Sequence, residues 1–327
     1  MRAPGFWHAP PGLLALLLLP LSWLWRLGGA LRAGKPQAVP VPVLCVGNLV
    51  AGGTGKTPVV RDLVARLRVR GVAAASLSRG HGGRLAGPLP VDPIRHDAGD
   101  VGDEPLLLAG FHPAWVGRDR VAAAQAMAAA GVGAVIMDDG FQNPALRKDL
   151  SLIIVDGGAG FGNGFVMPAG PLREPVAAGL ARADALVVIG DGPGLPAARA
   201  VAGNCPVLTA RLVPDEAAVT GLKDRQVLAF AGIGRPAKFF ATLRGAGARV
   251  VAEHCFADHH RFSEAELSAL AEQAARDRAI LVTTQKDAMR LTPIWRDRVM
   301  TLPVRLSWDD PAAVERLLDR LMGVRHG

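Results

Sequence analysis

Residues 41–60, "VPVLCVGNLVAGGTGKTPVV", decide the fold class of this chain. The apolar run 41–47 is typical of a buried strand, and apolar residues at helical spacing over 57–71 predict a helix that ends at a glycine. A glycine-rich segment between a strand and a helix is the setting in which phosphate-binding loops occur. Its backbone N–H groups and the partial positive charge of the helix N-terminus both attract anionic groups. The sequence therefore predicts a nucleotide phosphate site here.

The loop offers a defined set of nucleotide ligands. In a loop of this kind the lysine reaches the β- and γ-phosphates, and the hydroxyl that follows holds Mg²⁺. One departure is that Val50 stands where the usual pattern has its first glycine, so a simple glycine-rich turn is the alternative. The residues expected to bind the nucleotide are Gly52, Gly53, Thr54, Gly55, Lys56 and Thr57.

The rest of the chain alternates short apolar runs with helical patterns. Fully apolar strands that alternate with helices indicate an α/β protein whose parallel sheet is covered on both faces. We therefore expect a P-loop NTPase-like fold. Polar and turn residues at 209–226 separate two strand-rich parts. These features predict a larger phosphate-loop domain at 36–215 and a smaller α/β domain at 216–327.

The first 35 residues are expected to anchor the chain to a membrane. No Asp, Glu, Lys or Arg occurs from Ala3 to Trp25, and basic residues, Arg32 among them, follow the apolar run. Tryptophans at its edges suit a lipid interface, whereas Pro20 would kink or end a helix. A cleaved signal peptide is the alternative. Because the phosphate loop needs cytosolic nucleotide, we favour a retained anchor that spans the bilayer or lies in its interface.

Charge and cysteine content narrow the class of protein. The net charge is +8, which suits nucleic acid, an anionic membrane or a phosphorylated substrate. Nucleic acid is disfavoured because aromatic residues make up 5% of the chain and tyrosine is absent. The cysteines are Cys45, Cys205 and Cys255, widely spaced and odd in number, and they indicate thiols of a reducing compartment without a structural metal site.

Two acidic segments could serve phosphate chemistry. In "GAVIMDDGFQ", Asp138 and Asp139 end an apolar strand, which is where NTPases hold their metal. In "GDEP", Asp103 and Glu104 could face a metal and a substrate hydroxyl respectively or in the reverse order. Turn formers and a solvated acidic loop are the alternatives for the two segments.

Two further segments carry polar side chains near predicted strand ends. In "FADHH", a histidine could orient a carboxylate base, although a surface pair is the alternative for His259 and His260. Residues 160–175 are too rich in glycine and proline for a regular element and contain Arg173 and Glu174. Long irregular loops of this kind are often functional.

Nine ordered blocks together resemble the tetraacyldisaccharide 4'-kinase family. They are "LLLPLSWLW", the opening stretch, "SLSRGHGG", "GDEP", "DDGFQ", "FGNG…MPAGPLREP", "AGIGRP", "ADHH" and "TTQKDAMRL". The family also carries the atypical phosphate loop. The resemblance implies Mg²⁺-dependent transfer of the ATP γ-phosphoryl group to the 4'-hydroxyl of a tetraacylated glucosamine disaccharide 1-phosphate, giving lipid IVA. It also implies a membrane-bound location at the cytoplasmic face of the bacterial inner membrane.

The resemblance also assigns roles to residues of this chain. Asp103 is similar to the family's general base and His259 to its partner, while Lys56 serves the nucleotide. The metal environment would comprise Thr57, Glu104, Asp138 and Asp139. Substrate contacts would come from the other shared blocks, through Asn48, Arg79, Gln142, Asn163, Arg173 and Glu174.

Two positions depart from the family pattern, and one rival function explains part of the sequence. His81 stands where the family usually has tyrosine, and Gln285 where it has glutamate. The first departure bears on contacts with the acceptor and leaves the phosphate chemistry unaffected. The rival is a membrane-bound P-loop ATPase switch without a lipid substrate. It accounts for the phosphate loop and the anchor but gives no task to the "GDEP" or "ADHH" segments.

Overall fold

Two sheets organise the molecule, for which a computed structural model describes residues 4–30 and 35–323. Arg32, one of the basic residues after the N-terminal apolar run, lies outside these ranges. The strands are β1 (Val43–Gly47), β2 (Ala74–Ser78), β3 (Leu89–Pro90), β4 (Ala114–Val116), β5 (Ala134–Asp138), β6 (Leu150–Asp156), β7 (Ala185–Ile189), β8 (Val207–Pro214), β9 (Gln226–Ala231), β10 (Arg249–Cys255), β11 (Ile280–Thr284), β12 (Met300–Leu302) and β13 (Val304–Trp308).

Helices connect most of these strands. They are α1 (Leu13–Leu17), α2 (Leu19–Ala30), α3 (Lys56–Val69), α4 (Ala98–Val101), α5 (Asp103–Ala109), α6 (Arg120–Ala129), α7 (Val176–Leu180), α8 (Gly194–Ala202), α9 (Glu216–Leu222), α10 (Pro236–Gly245), α11 (Glu264–Arg276), α12 (Gln285–Ala288), α13 (Pro293–Arg296) and α14 (Pro311–Leu321).

The larger sheet has the strand order β13-β8-β7-β6-β1-β5-β2-β4-β3. Its pairings are parallel except at the two edges, where β13 pairs with β8 and β3 with β4 in antiparallel fashion. In β1, Leu44 and Val46 face one apolar cluster, whereas Val43 and Cys45 face the other. Apolar side chains on both faces explain the unbroken hydrophobic runs in the sequence. The predicted α/β fold, with a parallel sheet covered by helices, is confirmed.

The register of the central strands sets the position of the site. β1 lies between β5 and β6, and Val46 is level with Asp138 on one side and with Leu152 on the other. The loops that follow these parallel strands therefore leave the sheet at one edge. Ligands of open α/β sheets bind at this carboxyl edge.

The smaller sheet, in the order β10-β9-β11-β12, is parallel throughout. α10 covers one face through Phe239, Phe240 and Leu243, and α11 covers the other through Leu267 and Leu270. The chain then returns to the larger sheet, because β13 joins its edge and the side chains of α14 enter the same apolar cluster as α3.

The N-terminal segment packs on the loop 160–175. Trp7 donates its indole N–H to the Pro168 carbonyl at 3.0 Å, and Ser22 donates its hydroxyl to the Val166 carbonyl at 2.7 Å. The apolar side chains that stay largely exposed are Leu13, Leu14, Leu16, Leu17, Leu21, Trp23, Leu24 and Trp25. Within 4–30 and 35–323, no helix is long and apolar enough to cross a bilayer.

Candidate functional site

The phosphate loop has a defined conformation between β1 and α3. Gly55 precedes the helix with a φ of 87°, a value that favours glycine, and a Cβ placed there would lie 2.9 Å from the Ile189 side chain. Asn48 is fully buried, and its amide donates to the carbonyl of Val50 at 2.7 Å and to the Thr54 hydroxyl at 3.1 Å. The Asn48 side chain therefore stabilises the conformation of the phosphate loop.

The loop 160–175 supports the phosphate loop from the side. The Ala51 amide donates to the Pro171 carbonyl at 2.8 Å, and the Arg173 amide donates to the Leu49 carbonyl at 2.7 Å. The Gln142 amide group donates to the Asn48 carbonyl at 2.9 Å. The two irregular segments that the sequence singled out therefore form one hydrogen-bonded unit.

Lys56 lies beside an acidic side chain at the start of α3. Its ammonium is 3.6 Å from Asp139 Oδ1, and its side chain is 10% exposed. Arg173 donates to the same carboxylate through both terminal nitrogens, at 2.8 and 3.1 Å. Burial alone would raise the pKa of Asp139, but the charges of Lys56 and Arg173 hold that pKa below its usual range. Asp139 is therefore an ionised counterion shared by two cations.

Asp138 differs from Asp139 in its hydrogen-bond partners and in the direction of its pKa shift. It is 2% exposed, and both of its carboxylate oxygens are buried without a hydrogen-bond donor from the described residues. Burial, together with the nearby charge of Glu104, raises the pKa of Asp138 to about 8. A buried carboxylate without a donor is costly, and a cation would satisfy it. The donor set thus fits a hard divalent cation at Asp138.

A protein-only metal cage is absent from the part of the chain that the structure describes, where no three His, Cys, Asp or Glu side chains converge. Glu104 forms an ion pair with Lys286, whose ammonium is 2.9 Å from the Glu104 carboxylate. Mg²⁺ is usually held by one or two carboxylates together with phosphate oxygens and water, so a full cage is not required. Asp138 and Thr57 line the same cleft, and their role as ligands of this ion stays a prediction.

Asp103 and His259 meet across the two sheets. The His259 Nδ1 atom is 3.1 Å from Asp103 Oδ2, and His259 has a φ of 59°, which is unusual for a residue other than glycine. Burial would raise the pKa of Asp103, but the hydrogen bond from His259 and the charges of Lys286 and Arg290 hold that pKa well below its usual range. Asp103 is 5% exposed, and its neighbours Glu104 and His259 line the cleft.

The tautomer of His259 follows from its second contact. Nε2 lies 3.4 Å from the Lys286 ammonium, which can only donate a hydrogen bond. In the neutral imidazole Nε2 therefore accepts this hydrogen bond, and the N–H at Nδ1 donates a hydrogen bond to Asp103. By contrast, the neighbouring His260 contacts Glu266 at 3.0 Å and stacks on Phe256, away from Asp103.

Sequence reasoning did not identify two cations that complete this cluster. Lys286 lies in α12, and Arg290 follows that helix and donates to Asp103 through Nε at 2.9 Å. Both belong to the block "TTQKDAMRL", in which they are four residues apart. This spacing is the only local indication, because the Glu104 and Asp103 carboxylates that the two cations contact are more than 180 residues away in the chain.

The remaining predicted substrate residues lie in three different settings. Arg79 lines the cleft, and next to it His81 meets His259 edge to face, with ring centroids 5.9 Å apart. Gln142 and Glu174 form a network in which Gln142 donates to Glu174 at 3.1 Å. Asn163 donates to the Ala169 carbonyl of its own loop at 3.0 Å and to the Phe6 carbonyl of the N-terminal segment at 3.4 Å.

One cleft of about 2320 Å³ collects these groups. Its wall includes the phosphate loop, the Asp138–Asp139 pair, His259 and Lys286, and it extends to Trp7 and His8 of the N-terminal segment. Buried Arg120, another residue not singled out from the sequence, also lies on this wall, and its Nε has no acceptor among the described residues. The cleft therefore has cationic and anionic groups at one end and borders the apolar N-terminal segment.

Comparison with known proteins identifies relatives over nearly the whole chain. Residues 14–322 match the model of a family described as tetraacyldisaccharide-1-P 4'-kinase. A tetraacyldisaccharide 4'-kinase of Rhodospirillum centenum is 57% identical over 329 residues, which covers 98% of this chain and 97% of the relative. One from Rhodospirillum rubrum is 51% identical, covering 98% of both chains.

A solved structure supports the same conclusion. LpxK from Aquifex aeolicus, crystallised in complex with ATP, superposes with a TM-score of 0.72 at 26% identity, covering 94% of this chain and 99% of that one. The resemblance predicted from nine sequence blocks is confirmed. This chain belongs to the tetraacyldisaccharide 4'-kinase family.

Proposed function

We propose that this protein transfers the γ-phosphoryl group of ATP to the 4'-hydroxyl of tetraacyldisaccharide 1-phosphate, giving lipid IVA. The observation that carries the proposal is the shared cleft. Within it, a hydrogen-bonded phosphate loop with Lys56 lies near a buried carboxylate that lacks a donor, and His259, which contacts Asp103, lies on the cleft wall. Family membership supplies the identity of the two substrates.

Nucleotide binding is assigned to the phosphate loop and α3. The backbone N–H groups of Gly52, Gly53 and Gly55 would bind phosphate oxygens, and Lys56 would neutralise the terminal groups. Mg²⁺ would be held by Asp138 and Thr57 and would supply charge neutralisation between the phosphates. In this proposal Asp139 orients Lys56 and Arg173, and Glu104 orients Lys286.

Proton removal is assigned to the Asp103–His259 pair. Asp103 is kept ionised by its cationic neighbours, so it can only accept a hydrogen bond or a proton. His259 fixes the carboxylate and carries a proton on the atom that faces it. The sugar hydroxyl would approach this pair from the cleft, while Arg79 and His81 border the acceptor side. Because phosphoryl transfer depends mainly on positioning and charge neutralisation, a preassembled cluster of this kind suits it.

A mass measurement tests the reaction. The detergent-solubilised protein is incubated with ATP, Mg²⁺ and the monophosphorylated disaccharide, and the glycolipid is analysed by mass spectrometry. We expect a product heavier by one phosphoryl group, formed only when all three components are present. Release of free phosphate without a phosphorylated lipid would instead support the P-loop ATPase switch, the rival function.

We further propose that the N-terminal segment anchors the enzyme to the cytoplasmic face of the inner membrane. The exposed side chains of α1 and α2 include Leu13 at 74%, Leu17 at 68% and Trp23 at 72% exposure. Such an apolar surface in a short helical segment suits insertion into the lipid interface. This segment also borders the cleft through Trp7, so an acylated substrate could reach the site from the bilayer.

Vesicle flotation tests the anchor. We expect the protein to float with anionic vesicles and the triple substitution Leu13→Gln, Leu17→Gln and Trp23→Gln to reduce binding at least about tenfold. The control is Val69→Gln and Ile94→Gln, two apolar side chains exposed elsewhere, at 89% and 95%. Equal flotation of the triple variant and the wild type would contradict the proposal.

A further inference from the structure

We propose that Arg290 is a positioning residue that holds the Asp103 carboxylate in one orientation against His259 and so connects the smaller sheet to the proton-accepting pair. This inference rests on the proposed function and deepens it. The Arg290 guanidinium donates to Asp103, Asp287 and the Gly232 carbonyl, so it acts through Asp103 and not on substrate.

The Arg290 guanidinium is buried between two carboxylates. Its side chain is 5% exposed, with Asp103 at 5% and Asp287 at 0%. Nε and Nη2 both donate to Asp103 Oδ2, the first at 2.9 Å, while Nη1 donates to Asp287 Oδ1 at 2.7 Å and to the Gly232 carbonyl at 3.0 Å. All three nitrogens of the guanidinium therefore donate hydrogen bonds.

The contacts of Asp103 leave it one orientation. Oδ1 accepts the backbone N–H of Glu104 at 3.0 Å, and Oδ2 accepts from Arg290 and faces His259. With one oxygen fixed by the start of α5 and the other by the guanidinium, the carboxylate cannot rotate without breaking buried hydrogen bonds. Loss of Arg290 would remove the main donor to Oδ2 and leave a buried charge poorly compensated.

Neighbouring cations cannot take over this role. Lys286 is 4.0 Å from Asp103 Oδ2 and is committed to Glu104 at 2.9 Å. A lysine at position 290 would carry the charge on a single nitrogen, which cannot bind Asp103, Asp287 and Gly232 with the geometry of a guanidinium. The arrangement therefore requires arginine at this position.

Asp287 holds Arg290 from the side of the smaller sheet. It accepts hydrogen bonds from the Thr284 hydroxyl at 2.7 Å and from the Gly232 amide at 3.2 Å, so its own position is fixed by the ends of β11 and β9. Hydrogen bonds through Asp287 and Arg290 thus link the smaller sheet to the Asp103 carboxylate. This connection gives the second sheet a task in catalysis besides supplying His259.

A double-mutant cycle tests the inference. Arg290→Met, Arg290→Lys, Asp103→Asn and the double variant Arg290→Met with Asp103→Asn are compared in the phosphoryl-transfer assay. The matched control is Arg298→Met, because Arg298 lies in the same stretch but packs over the Trp295 ring at 5.3 Å. Each variant is also unfolded in urea, so that loss of activity is measured on folded protein.

We expect Arg290→Met to lower kcat by about two orders of magnitude, within the range for loss of acid–base assistance, and to change both KM values less than about threefold. In the Asp103→Asn background the same substitution should change kcat less than about threefold, because Arg290 acts through that carboxylate. Arg290→Lys should recover less than about a tenth of the wild-type kcat. The Arg298→Met control should match the wild type.

Two kinetic results would overturn the inference. One is a kcat of Arg290→Met within about threefold of the wild type, and the other is a loss that is fully retained in the Asp103→Asn background. Absence of phosphoryl transfer by the wild type would refute the proposed function instead. In that case the free energies of unfolding of the same four proteins test the contact between Arg290 and Asp103. Non-additive effects of the two substitutions would support the contact, and additive effects would contradict it.

Discussion

Two adjacent aspartates show how backbone geometry separates the roles of identical side chains. Asp138 ends β5 in extended conformation, whereas Asp139 has a φ of 52°, which turns its side chain toward Lys56 and Arg173. The first has a raised pKa and the second a lowered one. Environments that push the pKa values of neighbouring groups apart are typical of sites where those groups have different tasks.

The separate roles predict unequal responses to metal. Asp138→Asn should raise the Mg²⁺ concentration for half-maximal activity at least about tenfold, because it removes the charged ligand. Asp139→Asn should lower kcat with a smaller shift in Mg²⁺ dependence, because it releases two cations. Mg²⁺ titrations at saturating ATP measure both effects. Equal shifts for the two variants would contradict the assignment.

Lys56 should be the most sensitive position of the phosphate loop. Lys56→Met removes the ammonium expected at the terminal phosphates, and we expect kcat to fall by at least about two orders of magnitude. Isothermal calorimetry with ATP and steady-state rates measure binding and turnover separately. Lys223→Met, an exposed position in the smaller part of the chain, is the control. Unchanged turnover in Lys56→Met would refute the phosphate-loop assignment.

At the scale of elements, the loop 160–175 illustrates what the sequence shows and what it leaves out. Its glycine and proline content predicts an irregular segment with a function. The sequence does not show that this loop pairs with the phosphate loop, as in the bridge between Val50 and Leu172, or that it supports the N-terminal segment. These contacts join segments more than 100 residues apart, so no local pattern encodes them.

Substitution of Asn163 distinguishes a structural role of this side chain in the loop from a direct contact with substrate. Its side chain donates to the Ala169 carbonyl and accepts the Phe165 amide at 3.1 Å. Asn163→Ala should lower the free energy of unfolding by about 1–3 kcal/mol, because it leaves buried backbone groups unpaired. The KM for the lipid acceptor should change less than about twofold. A large rise of that KM with unchanged stability would instead indicate a direct substrate contact.

At the scale of the whole molecule, local patterns predicted the strands and the phosphate loop but not the path of the chain. The run from Ala134 to Met137 is apolar throughout because helices cover both faces of the sheet. The return of β13 to β8 could not be read from the sequence, because edge pairing leaves no distinctive pattern. The predicted domain limits stay a prediction. We propose that residues 304–323 are part of the larger unit.

Asp156 joins the two sheets and gives stability a pH dependence. Arg235 donates to its carboxylate, and the Lys238 ammonium lies 3.5 Å away. Burial would raise the pKa of Asp156, but the charges of Lys238 and Arg235 and the hydrogen bonds lower it from 3.8. A lowered pKa in the folded state stabilises the protein above the unfolded value, and this contribution is lost as the pH falls through the folded value.

Asp156→Asn should therefore reduce stability at pH 7 by about 2 kcal/mol and make it less sensitive to acid below about pH 4. Urea unfolding from pH 7 to pH 3 measures both effects. Asp191→Asn, whose side chain is 78% exposed, is the control and should follow the wild-type curve. Parallel curves for Asp156→Asn and the wild type would show that this carboxylate carries no pH-dependent stability.

The exposed leucines and tryptophans of the N-terminal segment have a kinetic consequence. With the anchoring proposed above, the acceptor keeps its acyl chains in the lipid phase, since withdrawing each methylene would cost about 0.8 kcal/mol. The enzyme then meets its acceptor by diffusion within the membrane surface. Initial velocity should follow the mole fraction of acceptor within mixed micelles, and dilution of the surface by inert detergent should slow the reaction even when the total amount of acceptor is constant.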